Sequence, residues 1–184
     1  MSLGYRKGLY STQIDGPTLT AAAAATMLPA TKPTLPANFF DMIGQVFFVR
    51  AYGRISCAIT TPGTARFDLR LGGTVVFDTL AIPLNIVAQT TVPWELELML
   101  TLRAIGSAAN FMGMGRFSTR AIVGAAAAGT EGSTNEIVPY NTAPVVGGNF
   151  DSEVSQQLDA FFTQTVATGS MTLHQFVCES PRWE

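Results

Sequence analysis

Charge is what this chain has least of. Asp, Glu, Lys and Arg make up 13% of its 184 residues, about half the usual share. A monomer of this size ordinarily needs more charge to cover itself, so part of its surface is expected to lie under other protein. The net charge is −2, and Arg6-Lys7 is the one basic cluster. That excludes a protein that tracks nucleic-acid phosphates along a basic stripe. Histidine occurs once, as His174, which removes most histidine-based metal sites and triads. The two cysteines, Cys57 and Cys178, lie far apart and form no CxxC spacing. Two buried thiols in a reducing compartment is the first reading, and a long-range disulfide the second.

Other absences narrow the classes further. No apolar run approaches the length of a membrane span: Ala21–Ala25 and Ala125–Ala128 are short, with threonine and glycine at their flanks. The opening MSLGYRKGLYSTQIDG has two positive charges and no apolar stretch behind them, so a protein made and folded in a cytoplasm is expected. Neither GMGRFS nor GTEGSTN completes a phosphate-binding loop, and no G-x-S-x-G is present. No segment carries a sustained helical period with caps. DSEVSQQLDAFF (151–162) comes nearest, but its continuation FFTQTV is strand-like.

What is present is period two. TVPWELELMLTLRAI puts Trp94, Leu96, Leu98, Leu100 and Leu102 on one side and Glu95, Glu97, Met99, Thr101 and Arg103 on the other. That marks a strand with one face in a core. GQVFFVRAYGRISCAIT (44–60) predicts a long strand, bent or bulged at Gly53. In TARFDLRL, Phe67, Leu69 and Leu71 alternate with Arg66, Asp68 and Arg70, and Gly72-Gly73 signals a hairpin into TVVFDTLAIPL. FMGMGRFSTRAIVG (111–124) predicts a strand interrupted by Gly113 and Gly115. Residues 125–149 read as a long small-residue loop with one short strand. QQLDAFFTQTVA (156–167) and SMTLHQFVCES (170–180) read as a terminal hairpin. Eight or nine strands with regular turn signals predict an all-β sandwich of jelly-roll type.

Residues 1–37 differ. Their prolines and glycines, Pro17, Pro29, Pro33 and Pro36 among them, favour an extended path over a helix. We expect an N-terminal arm over 1–37, with one strand near 18–28, and a sandwich domain over 38–184. Arg6, Lys7, Tyr10, Pro29 and Pro33 are the arm's candidate partner-binding residues.

Glu95 and Glu97 share a face about 6–7 Å apart, a separation compatible with glycoside hydrolysis. Every E-x-E on a strand has that spacing. The competing reading is an outward sheet face on which the glutamates pair with arginines such as Arg66 and Arg70. A catalytic pair needs a carboxylate in an apolar pocket, and nothing local supplies one. His174 reads either as a lone general base or as a strand histidine bonded across the sheet or to a neighbouring subunit. The doubled phenylalanines Phe39-Phe40, Phe47-Phe48 and Phe161-Phe162 place one ring inward and the next outward, and outward rings call for a cover. No catalytic, cofactor or metal residue is assigned.

Four stretches carry a resemblance: Gly44–Ser56, Leu69–Gly73, Trp94–Arg103 and the terminal SMTLHQF, Ser170–Phe176. Together they resemble the jelly-roll virion structural proteins of tailed bacteriophages, over roughly residues 36–180. The resemblance implies a non-enzymatic head decoration (cement) or head-fibre protein, often trimeric, with the major capsid protein as partner. It carries over no catalytic residue and implies a place on the capsid surface; with the low basic charge and the lack of a long apolar run, no cofactor, nucleic acid or membrane is expected as a partner. A carbohydrate- or receptor-binding fibre module is the alternative, with Tyr140, Glu131, Glu136 and Trp183 as its candidates.

Overall fold

The computed structural model describes residues 5–58, 61–122, 134–167 and 169–182. The strongest alternation in the sequence becomes its longest strand. We number the strands β1 (Tyr5–Ser11), β2 (Ala24–Thr26), β3 (Thr34–Leu35), β4 (Val46–Cys57), β5 (Thr64–Leu71), β6 (Thr74–Asp78), β7 (Ile82–Pro83), β8 (Gln89–Ala104), β9 (Asn110–Thr119), β10 (Asn135–Val138), β11 (Gln156–Gln164) and β12 (Ser170–Arg182). Among the described residues there is no α-helix, and a 3-10 turn at Gly106–Ala108 links β8 to β9.

Two antiparallel sheets form a sandwich. The first runs β1-β12-β4-β8-β9-β10, and the second runs β2-β11-β5-β6. Set aside the short β3 and β7 and the β9–β10 extension. Eight strands then remain, ordered first–eighth–third–sixth in one sheet and second–seventh–fourth–fifth in the other. That is the two-Greek-key order of a jelly roll.

The register of β8 follows from its leucines. Trp94, Leu96, Leu98, Leu100 and Leu102 are all buried, each worth roughly 1.5–3 kcal/mol. A one-residue slip would expose all five. Two aromatic clusters fill the space between the sheets. Phe67 of the second sheet lies 5.2 Å from Trp94 and 4.8 Å from Phe117 of the first, and 5.2 Å from Phe162. Nearer the other end, Phe40 meets Phe39, Phe47, Phe111 and Phe150 edge-on.

Glycines mark close approaches. Gly72 and Gly73 have φ of +55° and +93° and make the predicted hairpin of β5 and β6. Gly53 lies under Trp94: a Cβ there would stand 2.8 Å from the indole and 2.0 Å from the Thr172 carbonyl. The irregularity expected at Gly53 falls instead on its neighbour β12, where the register shifts between Leu173 and Gln175. Gly113 does not interrupt β9 either; it makes room for the ring of Phe77, which a Cβ would meet at 2.4 Å.

Three further expectations are revised. The terminal hairpin does not form: β11 belongs to the second sheet and β12 to the first, so the turn after β11 crosses between layers. Phe39 and Phe40 are both buried, because they lie on a loop where period two has no meaning. The other two phenylalanine pairs do split, with Phe47 and Phe162 inside and Phe48 and Phe161 outward.

The N-terminal segment is extended, as expected, and it lies along its own sandwich. β1 pairs with β12 from Tyr5↔Arg182 to Ser11↔Val177, a run that includes Arg6↔Pro181 and Lys7↔Ser180. Residues 12–19 follow β12 through Thr12 N–H to the Phe176 carbonyl and Gly16 N–H to the Leu173 carbonyl, both 2.9 Å. The chain then crosses to β11, where Thr26 faces Phe161. Met27, Leu28 and Leu35 join the core. The one strand expected near 18–28 is β2, a three-residue piece.

Candidate interaction surfaces

Glu95 and Glu97 lie on the outward face of the first sheet, between β4 and β9. Glu97 faces Arg50 on one side and Arg116 on the other. It meets them at 3.2 and 3.3 Å, and Glu95 is 3.9 Å from Arg116. The arginine pairing is as expected, but the arginines differ: Arg66 and Arg70 belong to the other sheet. Tyr52, beside Glu95 in register, has its phenol pushed above its usual range by burial and by that carboxylate. The two glutamates are part-exposed and ion-paired on the sheet face.

Arg66 and Arg70 hold the outward face of the second sheet. Arg66 donates to Asp78, with Nε–Oδ1 at 2.8 Å. Arg70 forms an ion pair with Asp68 on its own strand. Both guanidinium groups are pushed up, first by these hydrogen bonds. Lys32 pairs with Asp159, which also accepts from Thr26 at 2.6 Å. Phe161 finds its cover within the chain, for the Arg70 guanidinium lies 3.7 Å over its ring.

His174 sits at the register shift of β12, and its Nδ1 is 3.0 Å from Asp15 Oδ1 on the segment that follows β1. Its partner is therefore local. Cys57 and Cys178 are both buried free thiols, so the disulfide reading is set aside. Burial pushes Cys178 up to about 12 and Cys57 upward as well; such thiols react poorly. Among the described residues, no group of three or more His, Cys, Asp and Glu side chains can hold a metal ion. No helix among them is long and apolar enough to cross a membrane.

Exposed apolar side chains gather elsewhere. Met42, Ile43, Ile105 and Val154 are 52%, 62%, 47% and 49% exposed. They occupy three loops at one end of the sandwich, and Ser152 ties these loops together. Its carbonyl accepts from Asn38 N–H at 2.8 Å. Its N–H donates to the Gly106 carbonyl at 3.0 Å, and its Oγ accepts from Gly106 N–H at 2.9 Å. Gly44 N–H to the Leu102 carbonyl adds a fourth tie. Asp41, Asp151 and Glu153 lie on the same loops, next in sequence to Met42, Ser152 and Val154, with Arg103 the basic residue nearest in the chain. Neither periodicity nor motif marks the pole in the sequence; only the meeting of three distant loops creates it.

Of the arm candidates, Tyr10, Pro29 and Pro33 all serve their own chain. The Tyr10 hydroxyl donates to the Thr31 carbonyl at 2.8 Å, and its ring leans on Phe176. Pro29 is buried, and the Pro33 carbonyl accepts from Leu158 N–H at 2.9 Å. Between β1 and this crossing lies a groove of about 690 Å³, lined by Leu9, Tyr10, Gln13, Ile14, Pro29 and Thr31 among others. Arg6 and Lys7 lie on β1. Of the glycan candidates, Tyr140 packs partly against the core, and Glu136, on β10, is close enough to act on its phenol. Glu131 and Trp183 lie outside the described residues.

No family model matches the sequence, and no curated protein is similar to it. Among solved structures, the CBM2 module of Lactobacillus casei BL23 phage J-1 evolved Dit is similar, with a TM-score of 0.37 and 11% identity over 98% of each chain. That likeness is too distant to assign a function.

Proposed function

We propose that this chain is a non-enzymatic structural protein of a bacteriophage virion: a decoration protein that seats on the outer capsid surface as a symmetric oligomer. The observation that carries this reading is the apolar pole. Four large apolar side chains in water at one end of a stiff sandwich form a contact surface. Hydrogen bonds already fix the loops that carry them, so docking costs little ordering entropy. The acidic residues around the pole favour a partner with a basic rim around an apolar hollow. The virion motifs of the sequence point the same way, and the major capsid protein is the partner they imply.

Co-sedimentation with empty capsids lacking the protein tests this. Binding should be lost in an Ile43→Asp/Val154→Asp variant whose melting temperature is unchanged. A chain that never pellets with capsids, together with labelling that places it on the tail, would sink the proposal. A carbohydrate- or receptor-binding module is the second reading, favoured by the uncharged groove beside Tyr10 and Gln13. A glycan-array hit that Gln13→Ala removes would put it in place of the first.

A further inference from the structure

The outward face of the first sheet carries a second apolar surface. Phe48, Met99 and Met114 stand directly opposite one another on β4, β8 and β9. Met99 and Met114 are half-exposed, and Ile137 on β10, beside the row, is 61% exposed. A groove of about 390 Å³ runs along these side chains. Unbranched methionines adapt well to an opposing surface.

The charge beside this row is balanced. Arg50, Glu97 and Arg116 form the next row, with Glu95 one row further, and they are paired with one another. Across β4, β8 and β9, two positive and two negative side chains leave no net sign to recruit an oppositely charged partner. The pole, by contrast, has three acidic residues against one basic, and would repel its own copy.

We propose that this face packs against the same face of a second copy of the chain about a two-fold axis. Register decides where the axis falls. An axis lying across the strands, along Phe48–Met99–Met114, sets each of these side chains on its own counterpart. The row on the far side holds Val46, Thr101 and Met112, which carry no charge. The rotation lays the Arg50–Glu97–Arg116 row over that uncharged row, so like charges do not meet across β4, β8 and β9; Glu179 on β12, opposite Phe48 on the axis, bounds the contact on that side. An axis along β8 would instead place Glu97 on Glu97 and Arg50 on Arg116, which is repulsive. The four strands β4, β8, β9 and β10, about 4.8 Å apart, with residues rising about 3.3 Å each along β4, present a face on the order of 20 by 30 Å, about 600 Å² per partner and the low end of a standard interface. The pairing is isologous, so it doubles the chain rather than tripling it.

Sedimentation of the full chain at rising concentration is the test. The expected mass is twice the 19.6 kDa of one chain, returning to one chain in Met99→Arg. Met99→Cys should form a covalent dimer on mild oxidation, a clean readout because Cys57 and Cys178 are buried. Val154→Asp, at the pole, should leave the dimer intact. A monomer at every soluble concentration, a trimer unmoved by Met99→Arg, or a dimer that Met99→Cys fails to link would overturn the proposal. Should Met99→Arg fail to fold, the cross-link decides alone. A dimer that ignores capsids keeps this contact and removes the decoration reading; a monomer that binds them does the reverse.

Discussion

The two outward faces of the sandwich start from the same sequence device and end differently. β5 alternates Arg66, Asp68 and Arg70 with buried side chains; β8 alternates Glu95, Glu97 and Met99 with its leucines. On the second sheet the charged groups and the outward ring find partners within the chain: Arg66 with Asp78, Arg70 with Asp68, Lys32 with Asp159, and Phe161 under Arg70. On the first, the charges are paired while Met99, Met114 and Ile137 remain in water. One face is finished by intramolecular contacts. The other is left apolar at its centre, and it is the face proposed above to bind a second copy.

The largest effect should come from a change that undermines both faces at once. Phe67→Ala removes the ring on which Trp94, Phe117 and Phe162 converge, and should cost about 3–5 kcal/mol in denaturant unfolding. Next, the faces should separate. Asp159→Ala leaves Lys32, only 18% exposed, without its carboxylate and should cost about 1–3 kcal/mol. Glu97→Gln, among exposed partners, should cost under about 1 kcal/mol. Equal urea midpoints for these two variants would break the comparison.

Alkaline pH addresses the inward side of β12. Cys178 titrates near 9.0 when unfolded and about 12 when folded. Between those values the unfolded chain loses a proton that the folded one keeps. Stability should therefore hold below pH 9 and fall as pH rises toward 12, and Cys178→Ala should flatten that slope in thermal melts. The smallest effects sharpen the contrast most. Phe161→Ala should cost the monomer about 0.5–1 kcal/mol from the lost guanidinium contact. Met99→Ser should change monomer stability by less than about 0.5 kcal/mol, although it lies on the face proposed to bind.

The strands that were legible are those whose own side chains alternate. β4, β5, β8 and the Gly72-Gly73 turn lie close to where the pattern puts them, because burial on one face is written locally. β1 and β2 were not legible as partners in the sheets. YRKGLYS has no alternation and a register shift between Gly8 and Tyr10, and AAT is three small residues. What makes them strands is β12 and β11, far along the chain. The supposed terminal hairpin misled for a related reason: a short turn looks the same whether it joins neighbours in one sheet or crosses between two. For the glutamates, alternation told which side they face. Which arginines they meet depended on strand order, and strand order is a property of the whole fold. The apolar pole was invisible for the same reason, since Met42, Ile105 and Val154 have nothing in common until three loops meet.

The pairing of β1 with β12 also has a meaning in time. Tyr5 is made 177 residues (182 − 5) before its partner Arg182. At about 5–20 residues per second, the first strand waits on the order of ten to thirty-five seconds for its neighbour. Until then the inner side of β1 has no strand to pair with, and the sheet cannot be completed. Completion of this sheet is therefore timed by the synthesis of β12, not by that of β1.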